Sequence, residues 1–136
     1  VPWLLVDADL ALSRARLDDG GRVPNAIDRV VSLAGTVRDV QGWSGSLQWR
    51  LRGSGALTED NRVRSKPAAT ANLRITRALG TQASVTLDVF NLFNRRVDDI
   101  QYVYASQLPG EAAPVTDRHV HPAEPRSLRL TVQARF

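Results

Sequence analysis

The sequence predicts an all-β chain, an antiparallel, up-and-down transmembrane β-barrel segment of about six strands. Three observations predict it. Stretches of period-two hydrophobicity recur along most of the 136 residues, the mark of strands with one apolar and one polar face. The links between these stretches alternate long, short, long, short, long. The polar faces carry arginine, glutamine and aspartate, which cannot lie in a dry core without partners and suit a wet lumen.

The first strand is expected from Leu4 to about Leu17, with Val6, Ala8, Leu10 and Leu12 on one face and Asp7, Asp9, Ala11 and Ser13 on the other. Trp3 is out of phase and belongs to the preceding turn. Asp18-Asp19-Gly20-Gly21 breaks the strand, and a long link runs through Pro24 and Asn25. The second strand is expected over about Ile27 to Arg38, with a short turn at Val40-Gln41-Gly42. The third, Trp43 to Gly53, sets Trp43, Gly45, Leu47, Trp49 and Leu51 against Ser44, Ser46, Gln48, Arg50 and Arg52. A polar link, Ser54 to Ala69, precedes the fourth strand at about Thr70 to Leu79. Gly80-Thr81 makes a tight turn into the fifth, Ala83 to about Asn94. Its phase blurs at Phe90-Asn91-Leu92-Phe93, as at a bulge or a rise out of the membrane.

The last strand, Ser127 to Phe136, alternates without fault: Leu128, Leu130, Val132, Ala134 and Phe136 against Ser127, Arg129, Thr131, Gln133 and Arg135. Ten residues rise roughly 33 Å, and at a tilt near 45° they cover about 23 Å, close to the apolar band of an outer-membrane barrel. The order of links puts every long loop at one end and every tight turn at the other. Outer-membrane barrels have short periplasmic turns and long extracellular loops. Trp3, Trp43 and Phe136 then fall at the short-turn end, where an interfacial aromatic girdle is expected. Phe90, Phe93, Tyr102 and Tyr104 lie toward the long loops.

Composition excludes other classes. No run of 18 apolar residues offers a helical membrane span. Net charge is +4, yet the arginines are scattered rather than gathered into a basic helix, so no nucleic-acid partner is expected. The absence of cysteine removes disulfides and thiol chemistry. With no methionine, no signal peptide and too few strands to close a membrane barrel, the chain is expected to be a piece of a longer one with two open sheet edges. The alternative fold is a soluble β-sandwich or barrel binding module. Its core would be thin, since only 6% of residues are aromatic.

Three segments carry a resemblance. Leu87-Asp88-Val89-Phe90-Asn91-Leu92-Phe93-Asn94-Arg95 resembles the penultimate strand of TonB-dependent outer-membrane receptors, with its V-x-N-L-F-(D/N) pattern. Asp99-Ile100-Gln101-Tyr102-Val103-Tyr104-Ala105-Ser106-Gln107-Leu108-Pro109-Gly110-Glu111 is similar to the loop DI-x-Y-x-Y-x-S-R-L-P-G-E of one branch of that family, with Gln107 where arginine is usual. Asp117 to Arg126 resembles the D-x-H-x-H-P-x-E-P-R approach to the last strand, and Phe136 matches the closing aromatic. The likeness is close over about residues 84–136 and extends to the earlier strands in pattern.

The resemblance implies a 22-stranded barrel around an N-terminal plug, in the outer membrane of a Gram-negative cell. It implies uptake of a scarce nutrient such as a ferric siderophore, driven through TonB. This chain would supply the last strands of the barrel, residues 1–136, without the plug. Its implied partners are membrane lipid and lipopolysaccharide, the plug and remaining strands, TonB through the plug, and the barrel assembly machinery, for which Phe136 would be the signal. A porin-like passive channel is a third reading, disfavoured by the receptor-like loop motifs.

The motif loop contributes the candidate site residues Asp99, Tyr102, Tyr104, Gly110, Glu111, Asp117, His119, His121 and Arg126. His119 and His121 share a side of an extended segment, an arrangement that could ligate metal. Loop packing stiffened by Pro122 and Pro125 is the expected role instead, with no metal. Asp98, Asp99, Glu111 and Asp117 are expected to pair with Arg118 and Arg126. Ile100, Tyr102 and Tyr104 alternate, as in a hairpin continuing above the membrane, and the tyrosines are expected to pack within the loop. The lumen arginines Arg50, Arg52, Arg74, Arg129 and Arg135 are expected to match plug carboxylates. No nucleophile elbow or phosphate loop is present, so neither an enzyme nor a cofactor is expected.

Overall fold

The computed structural model describes residues 2–136. Eight antiparallel strands form and no helix does: β1 (Leu4–Leu12), β2 (Arg29–Val40), β3 (Trp43–Arg52), β4 (Ala68–Leu79), β5 (Ala83–Phe90), β6 (Asp98–Ser106), β7 (Val115–Pro122) and β8 (Ser127–Ala134). Six of them make one sheet in the order β1-β2-β3-β4-β5-β8, and β6-β7 is a separate hairpin. The sheet is open, with β1 and β8 at its edges. The expected six-strand meander is therefore present, and two further strands lie inside the link expected over 95–126.

Register sorts the two faces. Leu47 lies opposite Gly35 and Leu73, and Ile75 lies opposite Leu87, which in turn faces Leu130. These rows are continuously apolar because the side-chain period is two and the register holds along the strands, shifting between β2 and β3 only at an irregularity between Val37 and Val40 beside the turn. The intervening rows are polar, such as Ser44, Thr76, Thr86 and Thr131. Both central residues of the β2–β3 turn have positive φ, Gln41 at 53° and Gly42 at 78°. That is the primed geometry whose twist matches the flanking strands. Trp3 lies in the turn before β1, as expected, and its carbonyl accepts from the Arg38 amide at 2.8 Å.

Strand ends differ from expectation for local reasons. β1 stops at Leu12, not Leu17, because the chain turns back on itself and Arg16 pairs with Arg22. β2 starts at Arg29, since Ile27 pairs with Gly55 of the β3–β4 link instead. At that crossing the backbones meet closely: a Cβ on Gly55 would stand 2.4 Å from the Ala26 carbonyl oxygen. β5 ends at Phe90, not Asn94, because Asn91 adopts φ 49° and leaves the sheet. Asparagine tolerates this left-handed region better than most residues.

The apolar face has no cover among the described residues. Leu128, Leu130 and Val132 are 70%, 68% and 68% exposed, and only Ala56, Leu57, Ala71 and Val89 are buried aliphatics. A water-soluble domain of this size would hide most of its apolar surface. Here no second sheet packs against the first.

Candidate functional site

The long-loop end is built as one connected unit. The link after β1 and the link after β3 are joined by backbone hydrogen bonds, among them Asn25 N to Ala56 O (2.7 Å) and Arg22 N to Glu59 O (2.8 Å). The β6-β7 hairpin is joined to the second of these links through Gln101. Its side-chain amide accepts from Lys66 N (3.1 Å) and donates to Lys66 O (3.3 Å), as a neighbouring strand would. Gln101 is buried, so this pair is shielded from water. Arg52 at the end of β3 donates to the carbonyls of Asp98 and Asp99 and lies 3.6 Å from the Asp99 carboxylate.

The hairpin register puts Tyr102 opposite His119, Tyr104 opposite Asp117 and Ile100 opposite His121. All six therefore share one face, with Gln101 on the other. Tyr102 and Tyr104 are about half exposed. Tyr104 nonetheless packs against a neighbour within the hairpin. The Tyr104 ring stacks on His119, centroids 3.8 Å apart and planes within 16°. His119 Nε2 lies 3.2 Å from the Ser106 hydroxyl. The face is an aromatic and imidazole platform open on one side, suited to stacking against a flat ligand.

The other candidate residues are placed differently. Gly110 turns the hairpin tip with φ 97°. Glu111 closes that tip on itself, its carboxylate accepting from Leu108 N at 2.7 Å. Asp117 accepts from the Arg118 amide at 2.6 Å. The Arg126 amide donates to Asn94 Oδ1 at 3.0 Å, which sets the start of β8. Phe136 is fully exposed beyond β8. The expected pairing of these carboxylates with Arg118 and Arg126 is not formed. Asp99 meets Arg52 instead, because partner choice follows strand register rather than nearness in sequence.

The five arginines expected in the lumen also divide. On the polar face Arg74 makes a two-pronged contact with Asp88, at 2.6 and 3.2 Å. Asp88 lies opposite Arg129, whose guanidinium sits 5.2 Å over the Phe90 ring. Arg52 and Arg74 thus find carboxylates within the chain. Arg50 and Arg135 make no side-chain hydrogen bond or ion pair among the described residues.

Asn91 was not expected as a site residue and is the hub of this end. It is buried, and its side chain holds Arg95 N (2.9 Å), Arg95 O (2.9 Å) and Glu124 O (3.2 Å). Its amide donates to Asn72 Oδ1 at 3.0 Å. The sequence signal is an asparagine placed where the strand phase fails, since Asn both enters the left-handed region and bonds nearby backbone.

In the β3–β4 link, the Asp60 carboxylate accepts from the Thr58 hydroxyl at 2.5 Å and from the Arg62 amide at 3.1 Å. The first of these most, then the second, holds the Asp60 carboxyl below the usual carboxylate range. A depressed folded value favours the charged form, so this contribution is present above the ordinary aspartate pKa and is lost as pH falls through the folded value. Thr58→Ala is expected to return the Asp60 titration toward its ordinary range, followed by the carboxyl carbon resonance. An unchanged titration would show that Thr58 does not set it.

No family model and no curated protein matches the chain. Among solved structures it is similar to the ferric-catecholate import receptor Fiu from E. coli K12 in its closed form, with a TM-score of 0.72 and 19% identity. The match covers 100% of this chain and 19% of that one, so the chain spans about a fifth of the receptor's length. The chain is an all-β, antiparallel segment with the fold of part of that import receptor.

Proposed function

We propose that the chain forms strands of a TonB-dependent receptor barrel in a Gram-negative outer membrane and takes part in energy-dependent uptake of a scarce nutrient such as a ferric siderophore. The observation that carries this reading is the uncovered apolar face of the six-stranded sheet, opposite a polar face that carries arginines and the Arg74–Asp88 pair. Lipid covers such a face, and a lumen or plug meets the other. Arg77 reaches over Trp43 at 5.0 Å at the short-turn end, an arrangement fitted to a membrane interface. The likeness to an import receptor of ferric catecholates supports the same assignment. The edges at β1 and β8 take the remaining barrel strands, and TonB acts through the plug. The tyrosine and histidine platform on the hairpin is a surface for a flat chelate. The chain has no enzymatic role in this reading.

The soluble binding module is disfavoured because no second sheet covers the first. Deleting the gene for the intact protein should abolish uptake of its ferric chelate by iron-starved cells, and disabling TonB should do the same. Unchanged uptake of every ferric catecholate and hydroxamate tried would overturn the transport reading.

A further inference from the structure

We propose that the cleft between the β1–β2 link and the β3–β4 link is a binding site for a phosphate group. Its volume is about 210 Å³, and Ser13, Arg14, Arg22, Asp28, Ala56 and Arg64 are among the residues that line it. That volume is below the range of sites that bury a whole drug-sized ligand, roughly 300 Å³ and above. It fits a single anionic group better than a bulky ferric chelate.

The charges are unbalanced. Three guanidinium groups meet one carboxylate, whose Oδ2 is committed to Arg64 at 2.8 Å and whose Oδ1 is buried without a partner among the described residues. Arg64 is held further by Asn61 (2.6 Å) and Ser54 (2.9 Å), so its fork is fixed in advance. Arg14 and Arg22 have no carboxylate within 4.0 Å among the described residues. Arg22 is half-buried, and its backbone is pinned by the bond to Glu59. It also lies opposite Arg16 in an isolated antiparallel bridge, which sets two like charges side by side. Such a pair is destabilising by itself, and a doubly charged anion beside Arg22 relieves it. Arginine forks match the oxygens of phosphate in number and angle. A free phosphate monoester and the phosphorylated headgroup of lipopolysaccharide present the same chemistry here.

The test uses the intact, folded protein in detergent, titrated calorimetrically with inorganic phosphate. Saturable binding is expected, weakened at least about tenfold in the Arg14→Gln/Arg22→Gln double variant, given the usual worth of charge-assisted bonds. Arg22→Lys, which keeps the charge and loses the fork, should fall between. Arg62→Gln, in the β3–β4 link and paired with Asp60 at 3.3 Å, should bind as the parent does. In a second arm, the proteins are mixed with phosphatidylethanolamine vesicles with and without lipopolysaccharide. Lower capture of the double variant only where lipopolysaccharide is present identifies the lipid as the source. Equal capture, with phosphate binding lost, identifies a free phosphate ester. Absence of saturable phosphate binding, or equal binding by parent and both arginine variants, overturns the proposal. Binding is read without transport, so this result stands apart from the uptake assay.

Discussion

In the proposed barrel, Leu130→Arg in the intact protein is expected to weaken assembly by about 2–4 kcal/mol, the cost of a basic side chain on a lipid-covered face near mid-membrane. That corresponds to roughly 30- to 1,000-fold in the folding equilibrium. Leu130 sits in the row with Leu87 and Ile75 and is 68% exposed in the isolated chain. Thr131→Arg, one residue on, points to the polar face beside Thr86. It should cost far less, because water and polar groups lie on that side. Heat-modifiable mobility and refolding into lipid vesicles measure both. Equal tolerance of the two changes would mean that lipid does not cover the apolar face and would remove the main support for the barrel reading.

Asn91→Ala is expected to be the most damaging change outside the strands. Alanine at φ 49° carries a left-handed penalty of about 1–2 kcal/mol. Loss of the Arg95 and Glu124 partners leaves shielded backbone groups unpaired, about 1–3 kcal/mol more. Asn91→Gly incurs only the second cost, since glycine accepts the left-handed conformation freely. Because Asn91 ties together both ends of the segment that carries β6 and β7, protease cleavage within 95–126 should rise in both variants, and the unfolding midpoint should fall further for alanine. Equal midpoints would show that backbone conformation is not part of the effect.

Much of the sheet was legible in the sequence. Alternation located β3, β4 and β8 nearly to the residue, because a half-exposed strand must repeat every second position. The order of long and short links predicted which ends lie together. Trp3 fell in a turn because its phase was wrong for the strand that follows. The hairpin was visible only in part. Ile100, Tyr102 and Tyr104 alternate clearly, but β7 is rich in charged and imidazole groups, and its pairing partner cannot be inferred from period alone.

Site chemistry was less legible. Arg118 and Arg126 stand near four carboxylates in sequence and pair with none of them in the fold. Arg52, 47 positions from Asp99, does. An ion pair depends on which strand ends converge, and convergence is a property of the whole sheet. Gln101 looked like one more polar residue in an alternating loop. Only its approach to Lys66 makes it a strand-like clamp between two links.

By itself, the sequence determined the strand class, the faces of each strand and the alternation of link lengths, because these follow from side-chain period and turn chemistry over a few residues. The tertiary structure decided how three long links become one unit, why Asn91 leaves the sheet to hold the base of a hairpin, and which arginines are satisfied. Those outcomes rest on contacts between residues far apart in the chain. Pairing strength there depends on distance and shielding from water, and neither is written in local pattern.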